Sequence, residues 1–131
     1  MIEQRSVDYY INLTKNQFKN ISSSVNGQSF ESLPKPVRTA LVSTLFQTGN
    51  ITRGNSKLAA TAAAKGDYKQ AAHYYDVWAK YSEYKGRRSR EADLFRNAIS
   101  NKILDENQQL PSKEKLDTIK KDNENIFDRL F

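Results

Sequence analysis

The stretch Gly86-Arg87-Arg88-Ser89-Arg90-Glu91-Ala92-Asp93-Leu94-Phe95 combines three arginines, two acidic residues and an apolar pair. On an α-helix, residues four positions apart lie on the same face, so Arg87 and Glu91 can form an exposed ion pair. An apolar stripe that must face a core continues along the same helix, at Ala92, Phe95 and Ile99. The stretch therefore predicts a helix over residues 86–103, with one buried edge and a dense guanidinium surface beside it.

Helical periodicity extends from this helix over most of the chain, and strand-like alternation is nearly absent. Residues typical of helix starts and stops divide the pattern into segments. The first predicted helix covers residues 6–22, and the second begins at Pro34 and Pro36 and ends at Gly49. The third begins at a cap formed by Asn55 or Ser56 and ends at Lys65, and the fourth begins at a capping box formed by Asp67 and Gln70. The fifth covers residues 86–103, and the sixth begins at Ser112. The sequence thus predicts an all-α protein, a compact bundle of about six helices.

The last predicted helix belongs to a separate C-terminal extension, residues 103–131. Its apolar positions form one stripe, at Leu116, Ile119, Ile126 and Leu130. Since an isolated amphipathic helix is marginal in water, this face must be buried against something. We expect the extension to pack on the helical domain of residues 1–102, and docking on a second chain is the alternative.

Composition bounds the chemistry of the chain. With 131 residues it is long enough for one modest core. It has no cysteine and a single histidine, so we predict no disulfide, no metal site and no cofactor. The chain shows no secretory signal and no apolar run of the ~20 residues needed to span a bilayer. We therefore expect synthesis in the cytosol and no membrane span, with the site of action left open.

Charge favours an anionic partner. The net charge is +6, and the basic excess lies in residues 1–102 rather than in the extension. Such a surface suits nucleic acid, lipid headgroups or an acidic cell-wall polymer. Arginines beside aromatic residues are typical of binding surfaces, while helical spacing places Tyr75 and Trp78 in the core. The candidate binding residues are Tyr81, Tyr84, Arg87, Arg88 and Arg90.

Three segments in a fixed order carry a family resemblance. They are Ala40-Leu41-Val42-Ser43-Thr44-Leu45-Phe46-Gln47-Thr48-Gly49, then Lys65-Gly66-Asp67-Tyr68-Lys69-Gln70-Ala71-Ala72 followed by Trp78, and then the arginine-rich stretch. This order resembles the C-terminal lobe of phage-type lysozymes, the muramidase endolysins of tailed phages, which pesticin-type toxins share. The resemblance covers residues 35–99, with residues 2–24 as the helix that links the lobes in the family. The resemblance implies that Gln47 lines a cleft and that Arg87 lies at the floor of that cleft. Gln47 is therefore added to the candidate binding residues. The alternative for Gln47 is a role in the helix end and the turn that follows it.

The departure from the family concerns catalysis. In the family, an N-terminal lobe with a T-x-G-x-G-H hairpin carries the catalytic residues, which are a Glu, an Asp or Cys, and a Thr. No segment of this sequence resembles that lobe. We therefore assign no catalytic residue. Glycoside hydrolysis also needs two carboxyl groups ~5–9.5 Å apart, one with a raised pKa. Glu91 and Asp93 point in different directions on a helix, and we expect Arg87 to keep the pKa of Glu91 low.

The sequence therefore predicts a non-catalytic binding protein on a phage-lysozyme C-lobe scaffold, related to a phage or toxin system. Its predicted partner is a protein or a peptidoglycan-like anionic polymer, bound by the basic Arg/Tyr face. Two alternatives stay open. The chain is part of a muramidase whose catalytic lobe lies on another chain or outside this sequence, or it binds nucleic acid, although it has no recognition motif for nucleic acid.

Overall fold

The computed structural model describes residues 6–106, and side chains for residues 6–100. Most of the predicted extension, including the helix from Ser112, lies outside the described residues. Within them the chain is all-α, which confirms the predicted fold class. The elements are α1 (Val7–Ser24), a 3₁₀ turn (Phe30–Ser32), α2 (Lys35–Thr48), α3 (Gly54–Ala64), α4 (Tyr68–Tyr81) and α5 (Lys85–Glu106).

Gly49 and Asp67 form helix ends as predicted, and Ser6 forms a cap that the sequence pattern did not predict. The Ser6 side chain accepts a hydrogen bond from the backbone N–H of Tyr9 at 3.2 Å and caps α1. Gly49 ends α2 with a left-handed φ of 88°. Asp67 caps α4 by accepting from the N–H of Gln70 at 3.1 Å, which is one half of the predicted capping box. The other half is not formed, because the N–H of Asp67 donates to the carbonyl of Ala62 at 2.9 Å. These contacts satisfy backbone groups that the helix itself leaves without partners.

The predicted cap of α3 is wrong. The N-cap position belongs to Arg53, whose side chain makes no capping hydrogen bond, and not to Asn55 or Ser56. Gly54 takes a φ of 56°, which a glycine tolerates, so the chain turns into the helix before it reaches Asn55. Ser56 is already inside the helix, where its hydroxyl donates to the Arg53 carbonyl at 2.6 Å.

The core is built around α2, which is buried over most of its length. α4 and α5 pack together beside it, with the ring of Tyr75 5.4 Å from that of Phe95. The buried apolar residues of α5 are Ala92, Leu94, Phe95 and Ala98. None of the helices in the described part of the chain is long and apolar enough to cross a membrane.

The loop that follows α1 meets the end of α3 at a close backbone approach. The N–H of Gln28 donates to the carbonyl of Ala64 at 2.8 Å. A Cβ added to Gly27 would lie 2.6 Å from the same carbonyl oxygen, closer than real contacts allow. Only glycine therefore fits at position 27 without opening the contact between this loop and the end of α3.

Candidate functional site

A buried ion pair lies at the start of α5. The Nε atom of Arg88 is 2.8 Å from Oε1 of Glu91, and each side chain is only 1 % exposed. The prediction that Arg88 belongs to an exposed basic face is therefore wrong, and Glu91 is buried rather than exposed on the helix surface. The signal was present in the spacing, because Arg88 and Glu91 lie seven and four residues before the buried Phe95, on the same helix face.

Glu91 is held by the two other central helices. Its Oε2 atom accepts a hydrogen bond from the Thr44 hydroxyl of α2 at 3.0 Å. The same Thr44 oxygen lies 2.6 Å from the hydroxyl of Tyr75 on α4. One polar cluster thus connects α2, α4 and α5 inside the core.

Arg88 extends this cluster toward the end of α2. Its guanidinium carbon lies 4.3 Å from the centre of the Trp78 ring, a cation–π contact. It also donates through Nη2 to the side-chain oxygen of Gln47. Gln47, which is half-buried, therefore uses its amide oxygen inside the protein, and Trp78 is partly buried rather than fully so.

Burial dominates the protonation chemistry of the cluster. It raises the pKa of Glu91 to about 7, although the charge of Arg88 and the hydroxyls of Ser43 and Thr44 lower it. The expectation that Arg87 keeps this pKa low is therefore wrong, because desolvation outweighs the nearby cations. Burial, and then the Glu91 charge, raise the pKa of Tyr75, so its hydroxyl stays protonated. With 1 % exposure, the Glu91 carboxyl is enclosed by the neighbouring helices.

Arg87 lies at the contact between α5 and α2. Its Nε atom donates to the Ser43 hydroxyl at 3.2 Å. Its guanidinium carbon is 5.7 Å from the centre of the Phe46 ring. The side chain is half-buried, so part of it remains accessible beside these contacts.

The exposed candidates meet where α4 ends and α5 begins. Tyr81 is 84 % exposed and Tyr84 is 56 % exposed. A Cβ added to Gly86 would lie 3.3 Å from Nη1 of Arg90, so this guanidinium reaches back toward the first turn of α5. With two exposed lysines of the same junction, these side chains form what we call the junction surface: Lys80, Tyr81, Tyr84, Lys85 and Arg90.

The sequence-predicted site residues thus differ in burial. Tyr81, Tyr84 and Arg90 are exposed and belong to the junction surface. Arg88 is buried, and Gln47 and Arg87 are half-buried. Within the described part of the chain, no cluster of three or more histidine, cysteine or acidic residues is arranged to hold a metal ion.

Comparisons with models of protein families, with curated proteins and with solved structures find no match to this chain. The resemblance to phage-type lysozymes therefore stays a prediction that rests on the sequence motifs.

Proposed function

We propose that the chain is a non-catalytic binding protein that holds an acidic partner on the junction surface. The observation that carries the proposal is the exposure of two large aromatic side chains, Tyr81 at 84 % and Tyr84 at 56 %. Solvent-exposed aromatic side chains next to lysine and arginine are typical of the residues that contribute most of the binding energy at interfaces.

Electrostatics supports an acidic partner. The chain carries a net charge of +6. Around the junction, Lys80, Lys85 and Arg90 outweigh the single acid Glu83. Arg90 adds a planar guanidinium suited to a carboxylate or phosphate group. Such a surface attracts an acidic partner before contact and fixes its orientation afterwards.

The sequence motifs suggest which acidic partner to test first. A lysozyme-like helical scaffold favours a peptidoglycan-type polymer, which combines sugar rings with carboxylates. Tyrosine rings offer flat apolar faces to sugar rings, and the cations match the carboxylates. An acidic protein of a phage or toxin system offers the same carboxylate chemistry and is the second partner of this class.

Co-sedimentation with purified peptidoglycan tests the proposal. The chain is expected to sediment with the polymer, and the double variant Tyr81→Ala, Arg90→Glu is expected to bind at least about tenfold more weakly, the loss of one interface anchor. Leu58→Ala is the matched control, since Leu58 is 47 % exposed on α3, away from the junction. Equal binding by the double variant and the control would remove the junction surface from the proposal.

Two further measurements separate the alternatives. Lysis of permeabilised cells by the purified chain, followed by turbidity, would overturn the non-catalytic proposal in favour of a muramidase. Binding to duplex DNA that weakens steeply with salt, without binding to peptidoglycan or an acidic protein, would favour a nucleic-acid partner instead.

A further inference from the structure

A continuous run of rings and one guanidinium crosses α1, α2 and α5. The rings of Tyr9 and Tyr10 are 5.1 Å apart and meet edge to face at 86°. The ring of Tyr10 lies 4.9 Å from that of Phe46, at 77°. Arg87 extends the run, 5.7 Å from the Phe46 ring. We call these four residues the aromatic–arginine face.

This face is only partly covered by the described residues. Tyr9 is 40 % exposed, and Tyr10, Phe46 and Arg87 are each half-buried. Three aromatic rings in edge-to-face contact offer further ring edges and faces to an aromatic segment. The guanidinium at the end of the run favours an acidic segment. The chemistry that fits this face is therefore aromatic, apolar and acidic together.

One segment of this chain has that chemistry, residues 122–131. It contains three acids, Asp122, Glu124 and Asp128, against one base, Arg129. Its apolar residues include two aromatics and two aliphatics, Phe127, Phe131, Ile126 and Leu130. The preceding residues 107–121 carry four lysines against two acids, so they match an arginine poorly.

The connection also permits an intramolecular contact. Residues 107–121 join the end of α5 to the segment, and these 15 residues reach up to ~50 Å when extended. A tethered segment meets its site at an effective concentration of ~1 mM or more, so weak contacts suffice. A free partner of the same chemistry lacks this advantage.

We propose that residues 122–131 dock on the aromatic–arginine face, with aromatic side chains of the segment against Tyr10 and Phe46 and an acidic side chain beside Arg87. The contact covers the face within one chain. Its test needs no external partner.

Photo-crosslinking of the full chain tests the docking. Benzoylphenylalanine replaces Tyr9, which is 40 % exposed and so tolerates a larger side chain. After irradiation of a dilute sample, digestion and mass spectrometry are expected to show crosslinks to the peptide that contains residues 122–131. The same probe at Leu58 is the control and is expected to give no such crosslink. Absence of the crosslink from position 9, or equal yield from position 58, would overturn the proposal.

Two variants test the chemistry of the contact. Neutralising the segment with Asp122→Asn, Glu124→Gln and Asp128→Asn is expected to lower the crosslink yield about fivefold, because it removes the charge partners of Arg87. The matched control, Glu114→Gln with Asp117→Asn, removes acids outside the segment and is expected to leave the yield unchanged. Equal yields from both variants would overturn the assigned role of Arg87.

A mixture of isotope-labelled and unlabelled chains distinguishes the occupants. Crosslinks within one isotopic form support docking inside the chain. Crosslinks between the two forms would show that the face binds a second copy and would overturn the proposal.

Replacing Phe127 and Phe131 with alanine tests the aromatic part of the contact. This double variant is expected to abolish the crosslink, and retention of the full yield would contradict the proposed docking.

Discussion

Glu91 is an acid that the protein interior favours in its neutral form. Its carboxyl lies among three helices at 1 % exposure, and neither Arg88 nor two hydroxyls compensate for the lost water. The buried pair therefore serves less as a source of stability than as a fixed arrangement of polar groups. The Thr44 hydroxyl can connect this carboxyl to the Tyr75 hydroxyl only when α2, α4 and α5 are all in place.

This raised pKa predicts how stability depends on pH. Burial raises the pKa of Glu91 from 4.5 to about 7. Between these values the folded chain holds a proton that the unfolded chain has lost, so the free energy of unfolding falls as pH rises through this window. The contribution has an upper bound of roughly 3 kcal/mol and is constant above the window. We expect Glu91→Gln, which cannot titrate, to remove this slope when urea unfolding is measured from pH 4.5 to 8.

Glu31 provides the control for this measurement. It is exposed, and its pairing with Lys15 lowers its pKa. Glu31 therefore titrates below the window, and Glu31→Gln is expected to leave the slope unchanged. If Glu91→Gln also keeps the full slope, the proton that governs stability belongs to another group.

Two glycines give a matched prediction about space. A Cβ at position 27 would lie 2.6 Å from the Ala64 backbone, while one at position 86 would lie 3.3 Å from the guanidinium end of the long Arg90 side chain. We expect Gly27→Ala to lower the free energy of unfolding by about 1–3 kcal/mol, because backbone cannot move aside cheaply. Gly86→Ala is expected to raise it by up to about 1 kcal/mol, since alanine favours the helix. Denaturant unfolding of both variants checks the signs, and two equal losses would contradict this account.

At the scale of elements, helix existence was predictable because each helix carries its own local signals. The apolar period, the prolines before α2 and the glycines after α2 and α3 all act within a few residues. The start of α3 was mispredicted because a cap-forming side chain at Asn55 lost to the backbone freedom of Gly54, one residue earlier.

The contrast between these two helix starts is testable. Asp67 accepts the hydrogen bond that caps α4, so Asp67→Ala is expected to destabilise the protein by about 1 kcal/mol. Asn55 has no capping role in α3, so Asn55→Ala is expected to change stability by less than about 0.5 kcal/mol. Thermal and urea unfolding of the two variants measure the difference. A loss from Asn55→Ala as large as that from Asp67→Ala would restore the cap that the sequence suggested.

At the scale of the whole molecule, the arginines of one short stretch divide into different roles. Arg88 lies in the core, Arg87 bridges α5 and α2, and Arg90 lies on the surface. The sequence predicted the stretch as one basic face because composition does not say which side of a helix is covered. The spacing before Phe95 indicates that Arg88 lies on the buried side of the helix. Because buried arginines are rare, the residue type instead favours a position on the exposed surface.

Because these arginines differ in burial, salt is expected to affect binding at the surface more than the stability of the fold. The Arg88–Glu91 pair is shielded from ions by its burial, whereas the junction surface is open to them. We therefore expect binding to an acidic partner to weaken by about tenfold or more between 50 mM and 500 mM NaCl, as exposed charges are screened. Over the same range, the free energy of unfolding is expected to change by less than about 1 kcal/mol. Binding isotherms and urea unfolding at matched salt concentrations measure both quantities. If the binding affinity does not change with salt concentration, Tyr81 and Tyr84 act through apolar contact alone. This result would exclude the cations from the proposed function.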